Sequence, residues 1–251
     1  MIPAPLRGFR AAIVFLTRLP AGGYPYRDQD QAWSLAWFPV VGALVGAVAA
    51  GAWLLAEPLG PWPSALVALV TSVLVTGAFH EDGLADSADA LGGGIEDRAR
   101  VLAILKDSRL GTYGTSALVL SFLLRASLLV ELGPEHAWAL VLVHGLARTP
   151  PTWVKVHTPY ATGDASARSR NLQLGRPVHA AFAIAAGLAL AAGMASEPME
   201  LAWLVLVLVT VTVIVVRYTR RRVGGHTGDF LGALEQLGEL AVLMVLVGVR
   251  S

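Results

Sequence analysis

PVVGALVGAVAAGAWLLA, Pro39 to Ala56, runs 18 residues without one charged side chain. Crossing the hydrocarbon core of a bilayer takes about 20 mostly apolar residues in a helix. The stretch is apolar on every face, the pattern of a helix surrounded by lipid and other helices rather than by water. Gly42 and Gly46 lie one turn apart, a small-residue spacing that lets a second helix approach closely. The sequence therefore predicts a transmembrane span here.

Six further stretches share the pattern: Trp62–Phe79, Thr112–Leu132, Ala137–Val154, Val178–Ser196, Leu201–Val216 and Phe230–Val249. The expected fold is all-α, a polytopic membrane helix bundle of about seven transmembrane helices plus interfacial helices. Residues 1–251 form a single integral membrane domain. The N-terminal segment MIPAPLRGFRAAIVFLTRLP has a basic flank and a short apolar run but no small-residue cleavage site, so it reads as a retained interfacial segment.

Loop charges orient the set. Arg7, Arg10, Arg18 and Arg27 precede the first span, and Arg98, Arg100, Lys106 and Arg109 follow the second. Lys155, Arg168, Arg170 and Arg176 follow the fourth, and Arg217, Arg220, Arg221 and Arg222 the sixth. The alternate connections hold only Glu57, Glu131, Glu135, Glu197 and Glu200 as charged groups. The positive-inside rule places the N-terminus and the long loops in the cytoplasm, in a cytoplasmic (inner) membrane, with the polar chemistry facing inward.

Composition narrows the chemistry. Hydrophobic residues make up 55% of the chain and charged residues 15%, against roughly a quarter charged in soluble domains. The net charge of +1 and the lack of a basic domain or of a run that would form a phosphate-binding stripe argue against nucleic acid as a partner. With no cysteine there is neither a thiolate metal site nor a catalytic thiol, so metal chemistry must use oxygen or imidazole ligands.

FHEDGLADSADALGGG, Phe79 to Gly94, begins where the second expected span ends. Asp82, Asp86 and Asp89 fall at i, i+4 and i+7 and share one helical face. Like charges so placed repel unless a cation sits among them, and hard oxygen donors suit Mg²⁺ or Mn²⁺. Downstream, Val101, Leu102, Ile104 and Leu105 form an amphipathic run expected on the membrane surface. Asp107, Ser108 and Arg109, followed by Gly111 and Gly114, suit either a metal-and-phosphate clamp or a capped turn opening the third span. In GGHTGDFLGA, Gly224 to Ala233, Thr227 and Asp229 read equally as a helix start, and His226 could accept a proton or bind phosphate. Glu235 and Glu239 lie inside the last span, where Arg125 is the expected structural partner of Glu239.

Taken together, FLTRLP (Phe15–Pro20), FPVVG (Phe38–Gly42), HEDGLADSADAL (His80–Leu91), LKDSRLGTYG (Leu105–Gly114) and GGHTGDFLGALEQLGEL (Gly224–Leu240) resemble the cobalamin synthase family, the adenosylcobinamide-GDP ribazoletransferases. The blocks follow the family's order across almost the whole chain. The resemblance implies that the 5′-hydroxyl of α-ribazole, or its 5′-phosphate, attacks the cobinamide-linked phosphorus of adenosylcobinamide-GDP and that GMP leaves. It implies Mg²⁺ held by Asp82, Asp86 and Asp89, with Asp107 or Asp229 completing the shell. Arg18, Ser108, Arg109 and Thr227 are then the substrate contacts, with Arg109 also acting in catalysis. His80, Asp89 or His226 is the expected proton acceptor. The implied assembly is a homo-oligomer or an association with other corrinoid-pathway enzymes.

The chain departs from the family pattern at Thr162, where relatives commonly carry arginine, so a phosphate contact there would either shift to Arg168 or Arg170 or be absent. It also has Ala90 where glycine is common. Two rivals are weighed against this reading. A CDP-alcohol phosphotransferase would need an Ala-Arg pair after its first aspartates, where this chain has Ser87 and Ala88. A secondary transporter would use Glu235 and Glu239 as a proton relay.

Overall fold

The computed structural model describes residues 2–22, 26–92, 97–107, 109–161 and 175–250. The helices are α1 (Ala4–Leu16), α2 (Asp28–Ala56), α3 (Pro61–Thr76), α4 (Phe79–Leu91), α5 (Arg98–Ile104) and α6 (Thr112–Leu132). They continue as α7 (Trp138–Ala147), α8 (Thr149–His157), α9 (Pro177–Met194), α10 (Pro198–Val223) and α11 (Gly228–Arg250). The architecture is the expected all-α polytopic membrane bundle. Helix α2 packs on α1, α3, α7 and α9, while α11 packs on α4, α6, α7 and α10.

Among the described residues, five helices are long and apolar enough to cross a bilayer by themselves: α2, α6, α9, α10 and α11. The other two expected spans are interrupted. Helix α3 has 16 residues, about 24 Å at 1.5 Å per residue, and the chain then turns by 91° into α4. We read α3 as the crossing segment and α4 as lying outside it, across its end. The stretch Ala137–Val154 splits into α7 and α8 at Arg148, because Pro150 and Pro151 have no amide hydrogen to continue the ladder. The Arg148 amide bonds Leu146 O, and its guanidinium instead takes the His144 carbonyl at 2.7 Å.

Helix α1 has 13 residues, too few to span, and lies against α2. Phe9 meets Trp37 edge-on at 5.2 Å, the Trp37 indole donates to Pro5 O at 2.8 Å, and Arg7 pairs with Asp30 at 2.8 Å. Helices α2 and α7 meet through the small residues read from the sequence. A Cβ on Gly42 would lie 2.2 Å from His144 O, and one on Gly46 would lie 2.1 Å from Leu140 O.

The connections that hold the polar motifs gather at one end of the bundle. Arg18 N donates to Val75 O at 2.8 Å, drawing the segment after α1 to the end of α3. Arg98 donates to Ala161 O at 2.8 Å, and Ala161 N to His226 O at 2.8 Å. The apolar run of α5 corrects one expectation: Val101 is fully buried with Ala90, Val223 and Phe230, and Leu102, Ile104 and Leu105 pack around them. That face covers protein rather than the membrane surface. A segment's own apolarity cannot tell one apolar neighbour from the other.

Candidate active site

Helix α4 is amphipathic in charge. Its outward face carries exposed Asp82 and half-buried Asp86 and Asp89, while His80 and Glu81, 5% and 6% exposed, face the bundle. Gly83 makes the seating possible, since a Cβ there would sit 2.8 Å from Asp229 O and 3.1 Å from the Gly232 Cα. This close crossing with the first turn of α11 brings Asp229 beside the α4 aspartates. Burial first, then Asp82, Asp229 and Asp89, push the Asp86 carboxyl up to about 6. Asp107 is absent from that group.

The sign of the resulting pH dependence is definite. Asp86 holds its proton more tightly in the fold than in the unfolded chain, so its contribution to stability is fully present below about pH 4 and is lost as pH rises through about 6. Melting temperatures in metal-free buffer should fall over this window by more in the native protein than in Asp86→Asn. Equal slopes would mean that Asp86 is an ordinary surface carboxylate.

Asp89 is engaged differently from its two neighbours. Its oxygens accept from Gly111 N at 2.7 Å and from Gly114 N at 2.8 Å, at the start of α6. A helix N-terminus offers free N–H donors and a partial positive charge, so a carboxylate is a natural occupant. A Cβ at Gly111 or Gly114 would come within 2.5 Å or 2.4 Å of that carboxylate. The glycines thus admit Asp89, and it takes the amides that a phosphate clamp would have used.

The remaining expected residues are dispersed. Asp107 and Arg109 pair with each other at 2.6 Å on an exposed segment, and Arg109 holds the Asp107 carboxyl below its usual range. Arg18 is exposed and its guanidinium lies against Gly77, at the turn between α3 and α4. Thr227 caps α11, accepting from Phe230 N at 3.3 Å and donating to Asp229 at 3.4 Å. Ser108, Thr162, Arg168 and Arg170 lie outside the described residues.

Of the expected proton acceptors, none stands open on the aspartate face. His80 is turned into the core, and Asp89 is tied to α6. His226 is 2% exposed, with its Nδ1 2.8 Å from the Thr158 hydroxyl and its ring edge-on to Tyr160. Burial, with Lys155 nearby, lowers His226 to about 4, so it is neutral at neutral pH.

Behind α4 lies an ionic network that the sequence reading grasped only at one contact. The expected Arg125–Glu239 pair forms at 3.0 Å. Arg125 also lies 3.5 Å from Glu81, and Arg148 lies 2.7 Å from Glu235 and 3.5 Å from Glu239. His144 meets Glu239 at 2.5 Å, and His80 meets Glu235 at 3.7 Å. Both guanidiniums are at most 2% exposed. The available signal was the presence of His144 and Arg148 inside an expected span, where ionisable groups are rare. Among the described residues, three ligand atoms lying within 4.8 Å of one another occur only at His144, Glu235 and Glu239. Arg148 already supplies positive charge there, so this cluster is compensated within the protein. The aspartates of the outer face are spaced more widely, and their neighbours acting on Asp86 are all carboxylates. They fit a cation better than the buried set does.

The family described as cobalamin-5-phosphate synthase matches residues 8–247. A protein of Bradyrhizobium diazoefficiens named adenosylcobinamide-GDP ribazoletransferase is 42% identical, over 94% of this chain and 91% of its own length. Proteins of the same name from Rhizobium etli and Shewanella piezotolerans are 41% and 36% identical, over 94% and 96% of this chain and 94% and 95% of theirs. No solved structure matches. A family match across residues 8–247, with relatives 36–42% identical over nearly their whole length, places the chain in the cobalamin-5-phosphate synthase family.

Proposed function

We propose that this protein is an adenosylcobinamide-GDP ribazoletransferase working at the cytoplasmic face of an inner membrane with Mg²⁺. A free ribose hydroxyl oxygen of α-ribazole, or of its 5′-phosphate form, bonds to the cobinamide-linked phosphorus. The bond from that phosphorus to the bridging oxygen breaks, GMP leaves with that oxygen, and the hydroxyl proton passes to a carboxylate of the same face. The observation that carries this reading is the gathering of Asp82, Asp86, Asp89 and Asp229 at one end of the bundle, with Asp86 pushed up by burial and by these neighbours.

Asp82, Asp86 and Asp229 are the residues that would hold Mg²⁺. When bound, the ion neutralises diphosphate charge and lets the phosphorus accept an incoming oxygen. The wide spacing of these carboxylates suits an ion that keeps water and takes substrate oxygens into its shell. Asp89 orients rather than ligates, by fixing α4 to the start of α6. Arg18 and Arg109 are exposed guanidiniums suited to phosphate oxygens, and Arg109 would exchange Asp107 for substrate. The glutamates that a transporter would use as a relay are held by Arg125 and Arg148.

The test is direct. Protein reconstituted in lipid should release GMP from adenosylcobinamide-GDP when α-ribazole and Mg²⁺ are both supplied, and not when either is omitted. Folded protein that releases none under the full conditions would reject the assignment.

A further inference from the structure

We infer that the buried ionic network is a positioning device, which fixes the rotation of α4 so that its aspartates face outward. This rests on the reading of the α4 aspartates as the working face. The turn into α4 does not hold itself: Gly77 has φ 69°, and Ala78, at φ 59°, is the one non-glycine residue with positive φ among those described. An alanine in the left-handed region is strained and persists only where surrounding contacts over-determine it.

Those contacts fall on the first turn of α4. Glu81 meets Arg125 of α6 at 3.5 Å. His80 lies 3.7 Å from Glu235 of α11 and 3.5 Å from Arg148, at the break between α7 and α8. Three separate parts of the bundle thus contribute a charged group to two adjacent residues. Asp82 follows directly, and a rotation of α4 that turned it inward would draw Glu81 and His80 away from their partners. In a buried setting an orphaned charge is far costlier than a lost apolar contact, so the network selects one rotation sharply. Glu81 and His80 are positioning residues; neither lies on the aspartate face.

The absence of native cysteine makes the test clean. Spin labels on Ala88→Cys, in α4, and Glu57→Cys, beyond α2, should report one narrow distance distribution in the reconstituted protein. Glu81→Ala should broaden it and weaken Mn²⁺ binding at least tenfold, whereas Glu81→Gln, which can still accept from Arg125, should stay within about threefold of native and keep the distribution narrow. Should Glu81→Ala fail to insert, His80→Phe puts the same question through the same two measurements. A narrow distribution with native Mn²⁺ affinity in Glu81→Ala overturns the inference. So does a narrow distribution in Glu81→Gln with Mn²⁺ binding lost as fully as in Asp82→Asn, which would make Glu81 a ligand. Failure of the native protein to bind Mn²⁺ would instead strike the metal reading, and the distances would still decide whether the latch exists.

Discussion

Asp82→Asn should lower GMP release at least a hundredfold while the protein inserts and melts as the native chain does. Asp82 is the exposed aspartate on α4, so an isosteric amide disturbs no packing. The change removes one full negative charge from a group of four carboxylates. Losing one electrostatic contact at a reacting centre typically costs about 10²–10³ in rate. Asp107→Asn is the matched control. Its carboxylate is exposed, pairs with Arg109 and lies outside the Asp86 group, so turnover should stay within about threefold of native. Rates for the two variants, beside a size-exclusion profile and a melting curve for each, decide the matter. Near-native turnover in Asp82→Asn would remove it from the working face.

The second large effect is on stability. Gly46→Val should lower the melting temperature of the solubilised protein by roughly 6–12 °C, on a penalty of about 3 kcal/mol for overpacking. A Cβ at Gly46 would lie 2.1 Å from Leu140 O and 2.6 Å from the Leu140 carbonyl carbon, both backbone atoms that cannot swing aside. Helices α2 and α7 would have to separate along a contact that small residues created. Gly51→Val on the same helix meets nothing within 4 Å and should be close to neutral. An equal loss from both substitutions would mean that α2 tolerates no added bulk anywhere and that the α2–α7 contact is not special.

The membrane class and the acid helix were readable in the residues because both rest on local periodicity. A long apolar run and carboxylates at i, i+4 and i+7 need no knowledge of distant partners. The Gly42–Gly46 crossing was readable for the same reason. The 91° turn after α3 was not, since the left-handed residue that completes it is Ala78, which carries no turn signal. Pro150 and Pro151 did announce a break, but the stretch around them is apolar enough on average to pass for one span. The open amides of Gly111 and Gly114 were visible as an anion site, yet only the fold could say that the anion is Asp89. The charges of the core were hardest: His144 and Arg148 acquire meaning only once α4, α6 and α11 converge on them.

The chain order of those charges bears on how the protein is made. Glu81 leaves the ribosome first, then Arg125, then Arg148, and Glu235 and Glu239 come last, on α11. While α6 is entering the bilayer, Glu81 is the one acidic partner of Arg125 already synthesised, and Arg148 then waits for a carboxylate until α11 arrives. A guanidinium at mid-membrane costs roughly 2.5–3.5 kcal/mol during insertion. A nascent chain halted before α11 therefore carries Arg125 and Arg148 with only Glu81 of their three acidic partners, so the network closes only when the last helix packs.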